Sequence, residues 1–513
     1  MSRLANTIKN AKVSVFFHII FIFTQFFARK IFLENLGDDF MGLTGTLQSF
    51  LSFLNLAELG IGTAIGYTLY KPIFDKNYKE INQIIHFFGN IYKKIGFIII
   101  GLSLILSAFF PLIFENTNIP LSLIYFAFYA FLTSSLLGYF FNYHMLLFQA
   151  DQKEYMVAKY FQSFNISKIV LQIIFVFYFQ SFIIWISLEL LASLLFTISL
   201  RRKTTKEYPW LKLSYKKDQE RKNFESYPEL IKKIKQISLH KLGTFVSNGT
   251  DNILIFSFIS VETVAFFGNY QLIIANFATL LNKLFSGTNA SVGNLVAENN
   301  EQSIKQVFWE LMSFRFFIAG IVVIAILTLV DPFIMLWLGE KYILTKTTVS
   351  LFALNFFILQ IRQPVDVFKQ AYGLYSDTWA PVAQSVINLG VSILLVTKFG
   401  LTGILLGTSC SLILIIMLWR PYFLFAKAFR WPFISYVIGF IKLLITFLPI
   451  YFVIQYIIHN FLIFKIVNFY DWILFSAMVV SITIILYGGV LYITDKYFRD
   501  LIKRLKRSLR FFK

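Results

Sequence analysis

Arg29, Glu58, Asp251, Lys283, Arg315, Arg362 and Asp366 stand inside apolar stretches of this sequence. An acidic or basic side chain at mid-membrane costs roughly 2.5–3.5 kcal/mol on an insertion scale, so a helix carrying one turns that face to protein or water. Glu58 belongs to LTGTLQSFLSFLNLAELGIGTA (43–64), which contains no proline. Carboxylates such as Glu58 and Asp251, taken out of water, suit a proton or Na⁺ site linked to conformation. Arg362 and Asp366 are spaced i,i+4, which on a helix makes an ion pair and a candidate gate.

Polar residues accompany these charges at helical spacing. Thr44, Gln48, Ser52, Asn55, Glu58 and Gly62 form one stripe, and Ser14, His18, Gln25 and Arg29 another. His240, Thr244, Ser247, Asn248 and Asp251 form a third, and Asn276, Thr279, Asn282, Lys283 and Ser286 a fourth. Each stripe marks a wet or protein-facing side. Facing one another, the four would line a central hydrated cavity; the alternative is interhelical hydrogen bonding in a packed bundle.

The elements that position these residues follow from composition. With 57% hydrophobic residues, 62 Phe and 14% charged residues among 513, the chain is an integral membrane protein of all-α polytopic class. Spans are predicted at 13–33, 41–69, 95–114, 121–148, 161–180, 182–200, 238–260, 264–288, 308–330, 347–370, 380–397, 401–419, 437–458 and 472–494, about 14 transmembrane helices. The polar start MSRLANTIKNAK, followed by a run of spanning length, does not read as a cleavable signal. The single cysteine, Cys410, lies in an apolar run and excludes an intramolecular disulfide or a cysteine-built metal site.

Thirteen Lys and Arg fall in 201–241 and eight in 495–513. With an even number of spans, both termini and the 201–241 segment share one side, predicted to be cytoplasmic. The net charge of +20 thus reflects topology and contact with anionic membrane lipids, and no motif points to nucleic acid.

An internal repeat aligns 41–64 with 267–290, pairing Gly42 with Gly268 and Gly62-Thr63 with Gly287-Thr288. Gln162-Ser163 and Asn165 similarly match Gln384-Ser385 and Asn388. Six spans per unit make the repeat parallel, its axis along the membrane normal. The predicted organisation is an amino-terminal lobe (1–200, helices 1–6), a basic linker (201–237), a carboxy-terminal lobe (238–420, helices 7–12), two additional helices (421–494) and a basic tail (495–513). The two six-helix lobes are pseudo-symmetric.

The glycine-punctuated second helix, LGDDFMGL (36–43), GIGTAIGYTLYKPIFDKN (60–77) and the 12+2 plan with its basic linker resemble the polysaccharide-type flippases of the multidrug/oligosaccharidyl-lipid/polysaccharide exporter superfamily. The resemblance spans essentially the whole chain. It implies two six-helix lobes in a V that alternate access. It also implies transport of an undecaprenyl-pyrophosphate-linked oligosaccharide, an O-antigen or capsular repeat unit, across the bacterial inner membrane. Polysaccharide polymerase and chain-length regulator proteins are the partners that go with that role.

For such a substrate, arginine grips phosphate bidentately and lysine supplies a point charge. Arg29, Lys283, Arg315 and Arg362 are the candidate cations; His18, Gln25, Asn55 and Asn276 are candidates for sugar hydroxyls. Glu58, Asp251 and Asp366 are the ion-coupling candidates. Lys168 is a weaker candidate cation, the alternative being that it and Glu189 neutralise each other between neighbouring helices. The chain lacks a GxxxxGK[ST] phosphate loop, leaving an H⁺ or Na⁺ gradient as the energy source. No cofactor is expected. A multidrug exporter of the same superfamily and an integral-membrane glycosyltransferase or polymerase are the alternatives. The second would need a long external loop bearing catalytic carboxylates, which 331–346 and 459–471 do not provide.

Overall fold

The computed structural model describes residues 3–55, 61–151, 153–212, 249–285, 288–374, 376–461 and 465–511. These residues are overwhelmingly helical, and no strand occurs among them. The main helices are α1 (Arg3–Leu36), α2 (Asp38–Leu54), α3 (Ile61–Phe74), α4 (Tyr78–Ala108), α5 (Leu121–Phe140), α6 (Glu154–Phe179), α7 (Phe182–Glu207) and α8 (Asp251–Phe258). There follow α9 (Val261–Leu284), α10 (Glu301–Trp337), α11 (Lys346–Ala371), α12 (Trp379–Phe399), α13 (Leu401–Phe429), α14 (Phe433–Phe461), α15 (Phe469–Thr494) and α16 (Lys496–Phe511).

Eleven helices among the described residues are long and apolar enough to cross a bilayer, and each overlaps a span predicted from sequence, although α4 (Tyr78–Ala108) starts well before the predicted 95–114 and ends short of it. The three predicted spans without one, 13–33, 41–69 and 238–260, each include residues or side chains outside those described. The sequence 41–69 is divided between α2 and α3, on either side of 56–60. Large apolar side chains on the spans remain open in the isolated chain, among them Leu394, Ile485 and Phe177, as lipid-facing positions do.

Helix boundaries follow local rules. Gly37, at φ 87°, turns the chain between α1 and α2, and Gly400, at φ 54°, does so between α12 and α13. Asn300 caps α10 by accepting from Ser303 N at 3.0 Å, and Asn468 with Asp471 forms a capping box on α15. Within α13, residues 412–419 and 425–429 are π-helical, so their wider turns shift the register of the intervening Arg420–Leu424.

The chain divides into two compact units, Met1–Asn269 and Tyr270–Lys513. In the first, α1 packs along α6, α6 on α7, α7 on α5, and α8 on α2. Gly42 of α2 stands so close to the Val261 carbonyl that a β-carbon there would overlap it, and a β-carbon at Gly268 would meet the Arg29 guanidinium at 2.8 Å. In the second unit, α12 packs on α13, α10 on α11 and α15, and α14 on α15. α11 is the most enclosed span, with 72% of its apolar window buried against 17% for α6.

Most of the predicted linker, 213–237, lies outside the described residues, as does the stretch that follows it to 248, but its beginning is anchored. Arg201–Glu207 completes α7, and Lys153 Nζ lies 2.9 Å from both Asp151 Oδ2 and Glu207 Oε1. Tyr208 Oη donates to Asp151 Oδ2 at 2.9 Å. The Trp210 ring lies 4.5 Å from Tyr78, and Asn82 of α4 accepts from Lys212 N at 2.8 Å. This clasp ties the connection leaving α7 to α4 and to the loop before α6.

Candidate functional site

In the first unit, α1 presents Arg29 to the start of α9. Its Nε donates to Asn269 Oδ1 at 2.7 Å, its Nη2 to the Ala265 carbonyl at 3.0 Å, and its Nη1 approaches Met41 Sδ at 2.8 Å. The fork of guanidinium donors thus joins α1, α2 and α9, and Gly268 supplies the space it occupies. Gln25, one turn before Arg29, is half-buried. The His18 side chain and the whole of Glu58 lie outside the described residues.

Asn55 caps the end of α2 and is held by α5. Its Nδ2 donates to Ser135 Oγ at 3.1 Å, and its Oδ1 accepts from Tyr139 Oη at 3.1 Å. Asp251 opens α8, with Oδ1 buried and lacking a hydrogen-bond partner among the described residues. The adjacent Asn252 donates to Ser49 Oγ of α2 at 3.0 Å. Lys168 and Glu189 pair across α6 and α7 at 2.8 Å, the mutual neutralisation weighed against a candidate cation at Lys168.

In the second unit, Arg315 sits in α10 with only 7% of its surface exposed. It donates to Gln360 Oε1 at 3.2 Å, and its guanidinium lies 4.2 Å from the Phe285 ring centroid. No carboxylate lies within ion-pairing distance among the described residues. Arginine does not deprotonate in proteins, so this positive charge is retained, and the ring face is a weak substitute for an anion.

Two residues beyond Gln360, at the joint where α11 passes Arg362 into Gln363–Ala371, a second group of charges forms. Arg362 Nε lies 3.2 Å from Asp366 Oδ2, close enough for an ion pair but not aligned as a hydrogen bond. Arg420 Nη1 donates to Asp366 Oδ1 at 2.9 Å. One carboxylate thus serves two guanidinium groups. Lys369 has its own partner, Asp377, at 2.6 Å. Asn276 donates within α9 to the Leu272 carbonyl at 2.9 Å, and Lys283 lies half-buried in the last turn of α9.

The structure therefore brings Arg362, Asp366 and Arg420 together, while Arg315 forms a separate group with Gln360 and Phe285, since i,i+2 spacing turns Gln360 and Arg362 to different sides of their helix. Arg420, Gln360, Phe285 and Asn269 complete these groups and were not singled out in the sequence. Arg420 follows an apolar run and precedes proline, which reads as the end of a span; the π-helical turns beside it bring it to Asp366. Arg362 and Arg420 share the single Asp366 carboxylate, and Arg315 has none within ion-pairing distance among the described residues, so each group carries a surplus of positive charge, chemistry that receives an anionic oxygen cluster and repels a cation. In the described residues, no group of His, Cys, Asp and Glu is arranged to hold a metal.

No family model matches the chain, and no curated protein sequence matches it. Solved structures do. The lipid II flippase MurJ in an inward closed conformation superposes with a TM-score of 0.65 at 19% identity, over 96% of this chain and 100% of that one. An inward-facing multidrug resistance MATE transporter of the MOP superfamily gives 0.61 at 15% identity, over 82% of this chain and 99% of that one. An outward-facing one gives 0.56 at 12%, over 84% and 97%. At these identities the likeness is one of fold.

Proposed function

We propose that this protein is a flippase that carries an undecaprenyl-pyrophosphate-linked oligosaccharide across the bacterial inner membrane by alternating access, with both termini cytoplasmic. The observation that carries the reading is coverage: the flippase structure accounts for 96% of this chain, whereas the MATE structures, themselves matched almost whole, account for 82–84%. The excess of guanidinium over carboxylate, at Arg315 and separately at Arg362 with Arg420, points the same way, because a pyrophosphate is an anion and bidentate guanidinium contacts suit it. Asn55 and Asn276 would meet sugar hydroxyls, as would His18 and Gln25. Glu58, Asp251 and Asp366 would couple movement to H⁺ or Na⁺.

The test is translocation of a fluorescent lipid-linked glycan in proteoliposomes, with and without an imposed pH or Na⁺ gradient. Gradient-dependent loss of label from the accessible leaflet supports the reading. Export of cationic dyes without movement of the glycan would replace it with the multidrug alternative. Glu58→Gln, folded and abundant but insensitive to the gradient, would assign coupling to that carboxylate; unchanged gradient dependence would leave it to Asp251 and Asp366.

A further inference from the structure

We propose that α16 is a binding element for anionic phospholipid headgroups, with Lys496, Arg499, Lys503 and Lys506 as the headgroup contacts. This does not depend on what the protein transports.

α16 begins one residue after the membrane span α15 ends at Thr494. The intervening Asp495 fixes the elbow: its Oδ1 accepts from Phe498 N at 2.8 Å and from Ser313 Oγ of α10 at 2.9 Å. The first turns of α16 therefore stand at the end of a span, the depth at which phospholipid headgroups lie.

The helix has three distinct sides. At 100° per residue, Phe498, Leu501 and Ile502 share one face, and Phe498 is buried with its ring 5.1 Å from Phe317. On one flank, Tyr497 stacks on Trp309 at 6.2 Å, and Arg504 pairs with the buried carboxylate of Glu310 at 2.7 Å. On the other flank, Lys496, Arg499, Lys503 and Lys506 fall within an arc of about 80°. Lys496, Lys503 and Lys506 are exposed and Arg499 is half-buried. No described carboxylate lies within ion-pairing distance of these four, and Asp500 is the one acidic residue in α16.

The two flanks do different work. Arg504 answers a protein carboxylate, and the opposite arc has no carboxylate to answer among the described residues. A cationic arc beside an apolar face, rooted at a membrane span, fits an anionic bilayer surface by charge and by position. Each basic side chain at such a surface contributes about 1 kcal/mol, about fivefold in affinity.

The experiment uses the full-length protein in neutral detergent, titrated with fluorescent phosphatidylglycerol and, separately, phosphatidylcholine. Phosphatidylglycerol is expected to bind at least about tenfold more tightly, a preference that about 0.5 M NaCl removes by shortening the range of exposed charges. The variant with Lys496→Gln, Arg499→Gln, Lys503→Gln and Lys506→Gln should lose the preference, while Arg504→Gln should retain it. A preference unchanged by the fourfold variant or by salt overturns the proposal. So does equal loss in Arg504→Gln, which would move the site to the other flank, or displacement of the lipid by millimolar inorganic phosphate, which would mark a soluble-anion site. Should the fourfold variant misfold, the two double variants decide, Lys496→Gln with Arg499→Gln and Lys503→Gln with Lys506→Gln: each is expected to lose part of the preference, and an unchanged preference in both overturns the proposal.

Discussion

Arg29 and Asn269, 240 residues apart in the chain, meet through a 2.7 Å hydrogen bond from Nε to Oδ1. A hydrogen bond to a charged group contributes about 1.5–3 kcal/mol. Arg29→Ala and Asn269→Ala should therefore each lower thermal stability in detergent, and the double variant should fall short of their sum, with a coupling of about 1–2 kcal/mol. Transport separates the roles. If Arg29 acts only as a clamp on α9, translocation in each single variant falls in step with the stability that variant loses; if it also contacts the travelling pyrophosphate, Arg29→Ala loses far more translocation than its loss of stability accounts for.

Arg315 predicts an opposition between stability and activity. Its charge is buried with no carboxylate in ion-pairing distance among the described residues, so Arg315→Gln removes a desolvated cation and leaves no described anion stranded. Thermal stability should stay level or rise while translocation falls at least tenfold. A variant that is both unstable and inactive would make Arg315 a structural residue of α10.

Asp366 and Arg420 should behave unequally. Asp366→Asn leaves Arg362 and Arg420 facing each other without a counter-charge, which should destabilise by about 3–5 kcal/mol. Arg420→Gln leaves the Arg362–Asp366 pair in place and should cost less. Melting temperatures of the purified variants, each measured at the same lipid content, test the order.

The clasp at the start of the linker gives a pH dependence with a definite sign. Burial opposes the charge on Lys153, but hydrogen bonds to Asp151 and Glu207 outweigh it, so its pKa stands above the ordinary 10.5. Burial, then the Asp151 carboxylate, raises Tyr208 well above 10.0. In both cases the folded state holds its proton more tightly than the unfolded state. Their contribution is complete below pH 10 and is lost as pH rises beyond it. Melting temperature should fall more steeply above pH 10 in the native protein than in a Lys153→Met, Tyr208→Phe double variant. Parallel curves would refute the linkage.

Eleven spans were legible because hydropathy over about 20 residues is a local property, and the turn at Gln180-Ser181 between α6 and α7 was visible as a short polar interruption. The Arg362–Asp366 pair was legible for the same reason, since i,i+4 spacing needs only a helix. Arg420 was not, because its approach to Asp366 depends on π-helical turns that no hydropathy window registers. Nor was the Arg29 clamp, whose partners Asn269 and Ala265 are brought to it by packing far along the chain. The linker's first residues looked like free cationic chain, yet Tyr208 and Trp210 find ring and carboxylate partners on other elements. Charge identifies a residue worth attention; what answers the charge is a tertiary fact.

Gly42 and the Val261 carbonyl leave no volume between them for a methyl group. Position 42 can therefore serve as a diagnostic character when remote relatives are compared. A descendant that has replaced this glycine must have parted α2 from α9, because any residue at position 261 keeps the carbonyl that stands in the way. In a group of sequences too divergent for overall identity to be informative, glycine at this one position would tell which lineages have inherited this helix contact and which have rebuilt it.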